Sequence, residues 1–396
     1  MSYVTRSGSQ FMLDGKRFRF VGVNYYPLII GMTSIANLAA LFDACAAKGI
    51  TVMRTWAFDA GKPPSDSDGN FRFLDYPLGT NLLSNGSFET DLSGWVSSAD
   101  FTRSSQDAKV GTYSVKQVSA GGYNSFHTSA IAVTAGTNYV LTLWYKVVSR
   151  SGFGTLLEVK TGDLATQIKD CGLLEDTSGT WVRKQIAFNS GANTSIAINL
   201  NNFGGSVTAF FDNINLSLQQ APTLTPHEPT FVQLDRALDE ANKRGIKLIL
   251  CLADNTTNYD TKSTYITWAN TIYGAALSTS FPQVAFYTDA YCKQLYQDFV
   301  ALLADRVNTI NGRSYKTDDT IFAWELGNEM RVDQNDTSGQ NTASGSNLDI
   351  LSKPGGWADT MSTYIKSIDP NHLVAFSSCT HTWPYTNVGD TRCSSL

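Results

Sequence analysis

The sequence predicts an α/β protein with a parallel sheet, most often a barrel in enzymes, interrupted by an inserted all-β sandwich. Two observations predict it. Strand and helix patterns alternate through short loops over residues 1–80 and again from about 226 to 376, whereas residues 81–220 alternate with period two and show no convincing helix. The 396 residues also suit two domains. The expected division is therefore 1–80 as the first part of the parallel sheet, 81–220 as the insert, and 221–396 as the second part.

In chain order, Phe18 to Asn24 is a short strand that ends in polar and aromatic residues. Ile35, Leu38, Phe42 and Cys45 then recur at helical spacing behind a Ser34 cap, and Gly49 stops that helix. Thr51 to Trp56 is a second buried strand. Beyond the insert, Thr230 and Gln233 read as a capping box for a helix with Phe231, Leu234, Leu238 and Ala241 on one face, ended by Gly245. Ile246 to Leu252 is the third strand, and a helix from about Asp289 to Val307 turns Tyr291, Leu295, Phe299 and Leu302 inward. Ile321 to Leu326 makes the fourth strand, a helix spans about Gly356 to Ile368, and His372 to Ser377 is the fifth strand.

The insert is read from its period. Tyr139 to Tyr145, Val182 to Phe188 and Ser195 to Leu200 alternate, with Gly, Ser, Asn and Thr between them, which predicts a β-sandwich in the loop after the second strand. Surface loops of a barrel tolerate such an insertion.

Composition narrows the partners. A net charge of -5 with scattered Lys and Arg argues against nucleic acid, and no run of about 18 apolar residues exists to span a bilayer. Neutral ligands fit better. Six cysteines and four widely separated histidines show no metal spacing, so neither a metal nor another cofactor is expected. Cys45 and Cys251 read as buried free thiols, while Cys379 and Cys393 bracket a short loop as the best disulfide pair. Residues 1–6 lack the apolar core of a signal peptide, yet five Asn-x-Ser/Thr sequons suit a secreted protein.

The segment Ile321-Phe322-Ala323-Trp324-Glu325-Leu326-Gly327-Asn328-Glu329-Met330-Arg331 carries the chemistry. An apolar strand ending in Asn-Glu sets an amide and a carboxyl at the C-terminal mouth of a barrel. Glycoside hydrolysis needs a carboxylic acid there to protonate the departing oxygen, and a second carboxylate about 5 Å away to attack the sugar. Trp-Glu-Leu-x-Asn-Glu resembles the acid/base strand of glycoside hydrolase family 5, in particular its endo-β-1,4-mannanases. Phe20 to Tyr26, Val52 to Phe58, Gly245 to Leu250, Arg306 to Ile310 and Ile365 to Leu373 are similar to the family in the same order.

The resemblance implies a (β/α)8 TIM-type barrel and assigns roles by position. Glu329 corresponds to the general acid/base, Asn328 to the contact with the 2-hydroxyl of the reacting sugar, and Arg54 to the arginine that keeps the nucleophile ionised. Trp56 would line the sugar cleft, and Arg331 follows the acid/base as in relatives, although Met330 stands where they usually have Pro. At the level of residues alone, Glu325 remains an alternative acid and Arg54 an alternative partner of a structural acid. Trp324 and Trp357 read as core, while His381 and Trp383 are open between cleft and surface.

In the family the nucleophile is a Glu from the seventh strand, but only seven of the 35 acidic residues here are Glu and none follows Glu329. Asp390 lies in a stretch without strand character. The expectation is about five of eight barrel strands, as a fragment or natural truncation, with impaired hydrolysis and a tendency to associate through open sheet edges. Asn81 to Glu89 with Leu92 to Trp95, and Phe210 to Leu216, resemble the two ends of a jelly-roll carbohydrate-binding module, with Tyr123, Asn124, Phe126, Trp144 and Trp181 as candidate sugar contacts. The implied activity is endo-acting, retaining hydrolysis of β-1,4-mannosidic bonds in mannan or glucomannan by a secreted protein. The alternatives are a non-catalytic glycan-binding protein, or the same fold acting on β-glucan.

Overall fold

Five apolar runs line up as one parallel sheet in the computed structural model, which describes residues 2–29, 35–59, 71–256, 259, 261–280, 283–330 and 354–377. They are β1 (Gly22–Asn24), β2 (Val52–Trp56), β3 (Lys247–Cys251), β4 (Ile321–Glu325) and β5 (Leu373–Ala375). Their spatial order follows their chain order, each pairing in parallel with the next. Helices α1 (Ile35–Ala47), α2 (Glu228–Lys243), α3 (Thr261–Tyr273), α4 (Ala290–Ala304) and α5 (Trp357–Ile368) supply the crossovers that parallel pairing requires. The chain is thus α/β, and it divides into two units, Met1–Phe73 with Leu224–Leu396, and Leu74–Thr223.

Within the first unit, alternation along the strands sorts side chains to two faces. Met53, Thr55, Leu248, Leu250 and Trp324 are fully buried on the helix side. Val52, Ile249 and Ala323 form the other face at the start of the strands, and Phe11, Leu13, Phe18 and Phe20 pack against them. The phenyl rings cluster, with Phe11 and Phe20 at 5.3 and 5.6 Å from Phe322. Aromatic burial closes this end, leaving the polar residues to the strands' C-terminal ends.

Several boundaries differ from expectation for local reasons. The expected strand over 18–24 is shortened to Gly22–Asn24, and the chain before it, through Lys16–Arg17, completes a three-stranded antiparallel meander with Thr5–Ser7 and Gln10–Leu13. That meander has too few residues per strand to show a period. The capping box does not form: α2 starts earlier, with His227 at the cap and proline in its first turn, and the Thr230 hydroxyl pairs instead with His227 Nδ1 at 2.8 Å. Pro229, with its fixed φ and no N–H, favours the first turn of a helix. Helix α3 had no sequence expectation, since Thr261, Lys262, Thr264 and Tyr265 are all buried and give no polar face to recognise. Asp289, expected inside α4, is its cap and accepts from Tyr291 N at 2.9 Å and Cys292 N at 3.0 Å. Ser34 and the Cys379–Cys393 pair fall outside the described residues; Cys45, Cys171, Cys251 and Cys292 are buried free thiols.

The second unit is all-β. One antiparallel sheet contains Gln167–Leu173, Thr155–Thr161, Ser195–Asn202, Ser125–Thr128 and Trp95–Ser97, with Ile131–Ala132 on Ser195–Asn202; the other contains Val182–Asn189, Asn138–Gly152, Gly205–Leu218, Ser114–Ser119 and Phe101–Ser104. Alternate residues of both sheets, among them Leu141, Leu143, Ile198, Leu200 and Phe211, meet in one core. Trp95 stacks on Phe126 there at 4.6 Å with the rings only 3° from parallel.

Candidate functional site

The C-terminal ends of β2, β3 and β4 bring together Arg54, Trp56, Cys251, Asp254, Glu325, Asn328 and Glu329. Register explains the meeting: Trp56, Cys251 and Glu325 are partners across the three strands and so project to one face. The strands then continue as a parallel bridge between Asp254 and Asn328, with Asn328 N donating to Ala253 O at 2.8 Å and Asn255 N to Asn328 O at 3.1 Å. These bonds fix the backbone beneath the Asn-Glu pair.

Arg54 organises the floor. Its Nε donates to Glu325 Oε2 at 2.6 Å and its Nη2 to Glu325 Oε1 at 2.8 Å, the two-pronged geometry that suits a guanidinium and a carboxylate. The same Nη2 reaches Asn328 Oδ1 at 2.9 Å, and Nη1 reaches Asn24 Oδ1 at 3.3 Å. Asn328 in turn donates from Nδ2 to Asp254 Oδ1 at 2.8 Å. An amide with its oxygen on Arg54 and one N–H on Asp254 cannot flip, and its second N–H is the group left for a ligand. Asp254 also accepts from the backbone N of Thr256 at 2.8 Å and from the Thr256 hydroxyl.

Charge follows from these contacts. Burial opposes the Arg54 cation, but the Glu325 hydrogen bonds and charge outweigh it and hold its pKa above the usual value. Asp254 moves up instead, chiefly by burial and with a contribution from the Glu329 charge, against the bonds from Thr256 and Asn328. Burial likewise pushes the Cys251 thiol well above its ordinary range, so it is an inert wall of the site.

Glu329 differs from every neighbour. Leu326, Gly327, Asn328 and Met330 are buried, yet Glu329 is exposed and sits at φ +54°. The left-handed backbone sets it apart from the strand line, and its side chain is in solvent at the strands' C-terminal ends. Glu325 is its opposite, 2% exposed with both oxygens spent on Arg54, which makes it a structural acid. Arg54, expected to serve a nucleophile, is therefore engaged with Glu325. Trp56 forms an aromatic wall with Tyr26 at 4.9 Å and Tyr259 at 6.2 Å, and Arg54 lies 5.1 Å from its ring. Three buried polar atoms at this end lack a partner among the described residues: Trp56 Nε1 and both amide atoms of Asn255.

Sequence reasoning thus placed four of its five site residues together, while Arg331, His381, Trp383 and Asp390 lie outside the described residues. It missed Asp254 and Asn24 as anchors of the Asn328 and Arg54 side chains; their position at the ends of apolar strands was the available signal. In the sandwich, Phe126 is a core residue. Trp144 lies 4.1 Å beneath Lys109 Nζ, Trp181 donates to Asp107 at 3.0 Å, and Tyr123 is exposed.

Comparison with known proteins finds matches to part of the chain. Residues 205–384 match the family model described as GH family 5 beta-mannosidase-like. Mannan endo-1,4-beta-mannosidase 4 of Oryza sativa subsp. japonica is 36% identical over 166 residues, 42% of this chain and 32% of that protein. Mannan endo-1,4-beta-mannosidase 1 of Arabidopsis thaliana is 39% identical over 147 residues, 37% of this chain and 30% of that protein. The aligned stretch spans about a third of the length of these relatives. Among solved structures, the endo-1,4-beta-mannanase of Rhizomucor miehei is similar at 21% identity and TM-score 0.46, covering 95% of this chain and 61% of that one. Over residues 205–384, less than half of its length, the chain is thus similar to glycoside hydrolase family 5.

Proposed function

We propose that the strand-end site belongs to an endo-acting, retaining hydrolase of β-1,4-mannosidic bonds in mannan or glucomannan, working outside the cell. The observation that carries the proposal is the Asn328–Glu329 pair: a carboxyl turned into solvent beside an amide locked by Arg54 and Asp254. In the first step Glu329 gives its proton to the glycosidic oxygen as the bond from that oxygen to the anomeric carbon breaks. A second carboxylate, about 5 Å away, supplies the electron pair that bonds that carbon. Glu325 is not that group, since Arg54 occupies both its oxygens. In the second step Glu329, now ionised, takes a proton from water, which displaces the enzyme carboxylate.

The surrounding residues support a sugar as the occupant. Trp56, Tyr26 and Tyr259 offer aromatic faces for the C–H side of a pyranose, and the unpartnered Asn255 amide and Trp56 Nε1 suit a hydroxyl-rich ligand. Arg331, next after Met330, belongs to the same proposed binding set. The parallel sheet is then part of a (β/α)8 barrel, its order β1 to β5 being that of a singly wound barrel, and the sandwich a jelly-roll glycan-binding module inserted after β2.

The test is product analysis on mannan, glucomannan and β-glucan with the longest natural polypeptide that carries these residues. Release of manno-oligosaccharides, with the new reducing end first in the β configuration, supports the proposal. Faster cleavage of β-glucan changes the substrate. Glycan binding without any cleavage would make the protein a non-catalytic binder.

A further inference from the structure

Three aromatic side chains of the sandwich are left in solvent at one end of the second unit. Tyr123 is 75% exposed, Phe153 64% and Phe203 43%. Each lies on a link between the two sheets: Tyr123 between Ser114–Ser119 and Ser125–Thr128, Phe153 between Asn138–Gly152 and Thr155–Thr161, Phe203 between Ser195–Asn202 and Gly205–Leu218. The rings touch one another, Tyr123 on Phe203 at 5.8 Å and Phe153 on Phe203 at 6.1 Å.

The three links are stitched by their backbones. Asn202 N donates to Asn124 O at 2.8 Å, Phe203 N to Gly154 O at 2.8 Å, and Gly154 N to Gly204 O at 3.1 Å. The two hairpins also press together at glycine: a Cβ on Gly205 would lie 2.0 Å from Ser151 O. Rings held on such a frame lose little conformational freedom when a ligand arrives, so the patch is prepared to bind.

Geometry and charge identify the ligand class. Tyr123 and Phe153 stand at 89° and 78° to the plane of Phe203, so the patch is a corner and cannot lie flat on a crystalline polymer face. A single chain in solution can enter a corner. Beside it stand one acid and one base, Asp100 accepting from Asn124 Nδ2 at 2.8 Å and Arg150 Nη1 donating to the Leu174 and Phe153 carbonyls at 3.1 and 3.4 Å, and opposite charges in equal number favour an uncharged partner. We infer that Tyr123, Phe153 and Phe203 form a contact site for the sugar rings of a soluble, uncharged glycan chain. This rests on the glycan-binding reading of the sandwich and adds to it a specific end, separate from the Trp144 and Trp181 surroundings.

The experiment is affinity electrophoresis of the whole chain through gels containing soluble glucomannan or galactomannan, with mannohexaose titrated in solution. Wild type and Tyr123→Ala/Phe203→Ala are compared, and sedimentation of both is measured in parallel. The double variant should weaken binding about tenfold or more, as loss of paired aromatic anchors does, with an unchanged melting temperature because both side chains are exposed. Equal retardation of variant and wild type would overturn this inference and leave the glycan-binding reading standing. A wild type that is not retarded at all would overturn both. A wild-type dimer that the double variant dissolves would overturn the inference in favour of a second copy as the occupant.

Discussion

At the scale of single residues, the acid role proposed for Glu329 sets function against stability. A non-glycine residue in the left-handed region costs about 1–2 kcal/mol, and strain of this kind persists where a site needs it. Glu329→Gly should therefore raise stability by about 1 kcal/mol in urea unfolding and, under the proposed function, abolish mannan cleavage. A less stable glycine variant would mean that the backbone there is not strained. Arg54 makes the opposite case. Glu325 is 2% exposed and Arg54 is its cation, so Arg54→Met leaves a buried carboxylate without compensation and should cost about 3–5 kcal/mol. Arg54→Lys should also be poorly tolerated, since one ammonium cannot reproduce the fork onto Glu325 together with the bonds to Asn328 and Asn24. A loss below about 1 kcal/mol in Arg54→Met would refute the structural role given to the pair.

At the scale of elements, α2 is tied to the segment after α4 chiefly through one buried carboxylate, Asp235, with Glu228 adding a second pair to Arg306. Asp235 accepts from Arg306 Nε and Nη2 at 2.8 and 2.6 Å, from Thr309 N and its hydroxyl at 3.0 and 2.7 Å, and from the Tyr315 hydroxyl at 2.7 Å. Burial pushes its pKa up, but the bonds from Arg306, Thr309 and Tyr315 outweigh this and hold the pKa below the ordinary value. A depressed acid stabilises the fold above its unfolded pKa, near 4, and loses that contribution as pH falls through the folded value. Asp235→Asn should thus be clearly less stable than wild type at pH 7, with the gap narrowing below about pH 4. A gap independent of pH would place the loss in packing and not in charge. Only part of this was legible beforehand. Strands β2 to β4 and helices α2, α4 and α5 show in the sequence because their apolar residues recur with a regular period. The N-terminal meander and α3 do not, the first because its strands have two to four residues and the second because its polar residues are buried.

At the scale of the whole molecule, two kinds of periodicity correspond to two kinds of sheet, and each unit has its own core. The Asn-Glu step at the end of β4 was readable as a candidate from local order, but local order left Glu325 as an alternative acid, and only the resemblance singled out Glu329. What local order concealed was the partner of Arg54. A guanidinium on β2 and a carboxylate on β4 are 271 positions apart, and only the sheet register brings them together. The central claim is that Glu329 delivers the proton to the leaving sugar. The direct measurement is the cleavage rate of Glu329→Gln on mannan and on an aryl β-mannoside whose phenol needs no protonation. A loss of about 10²–10⁴-fold is expected on mannan, with glycosylation by the aryl substrate nearly unchanged. Equal loss on both, or no loss on mannan, would contradict it.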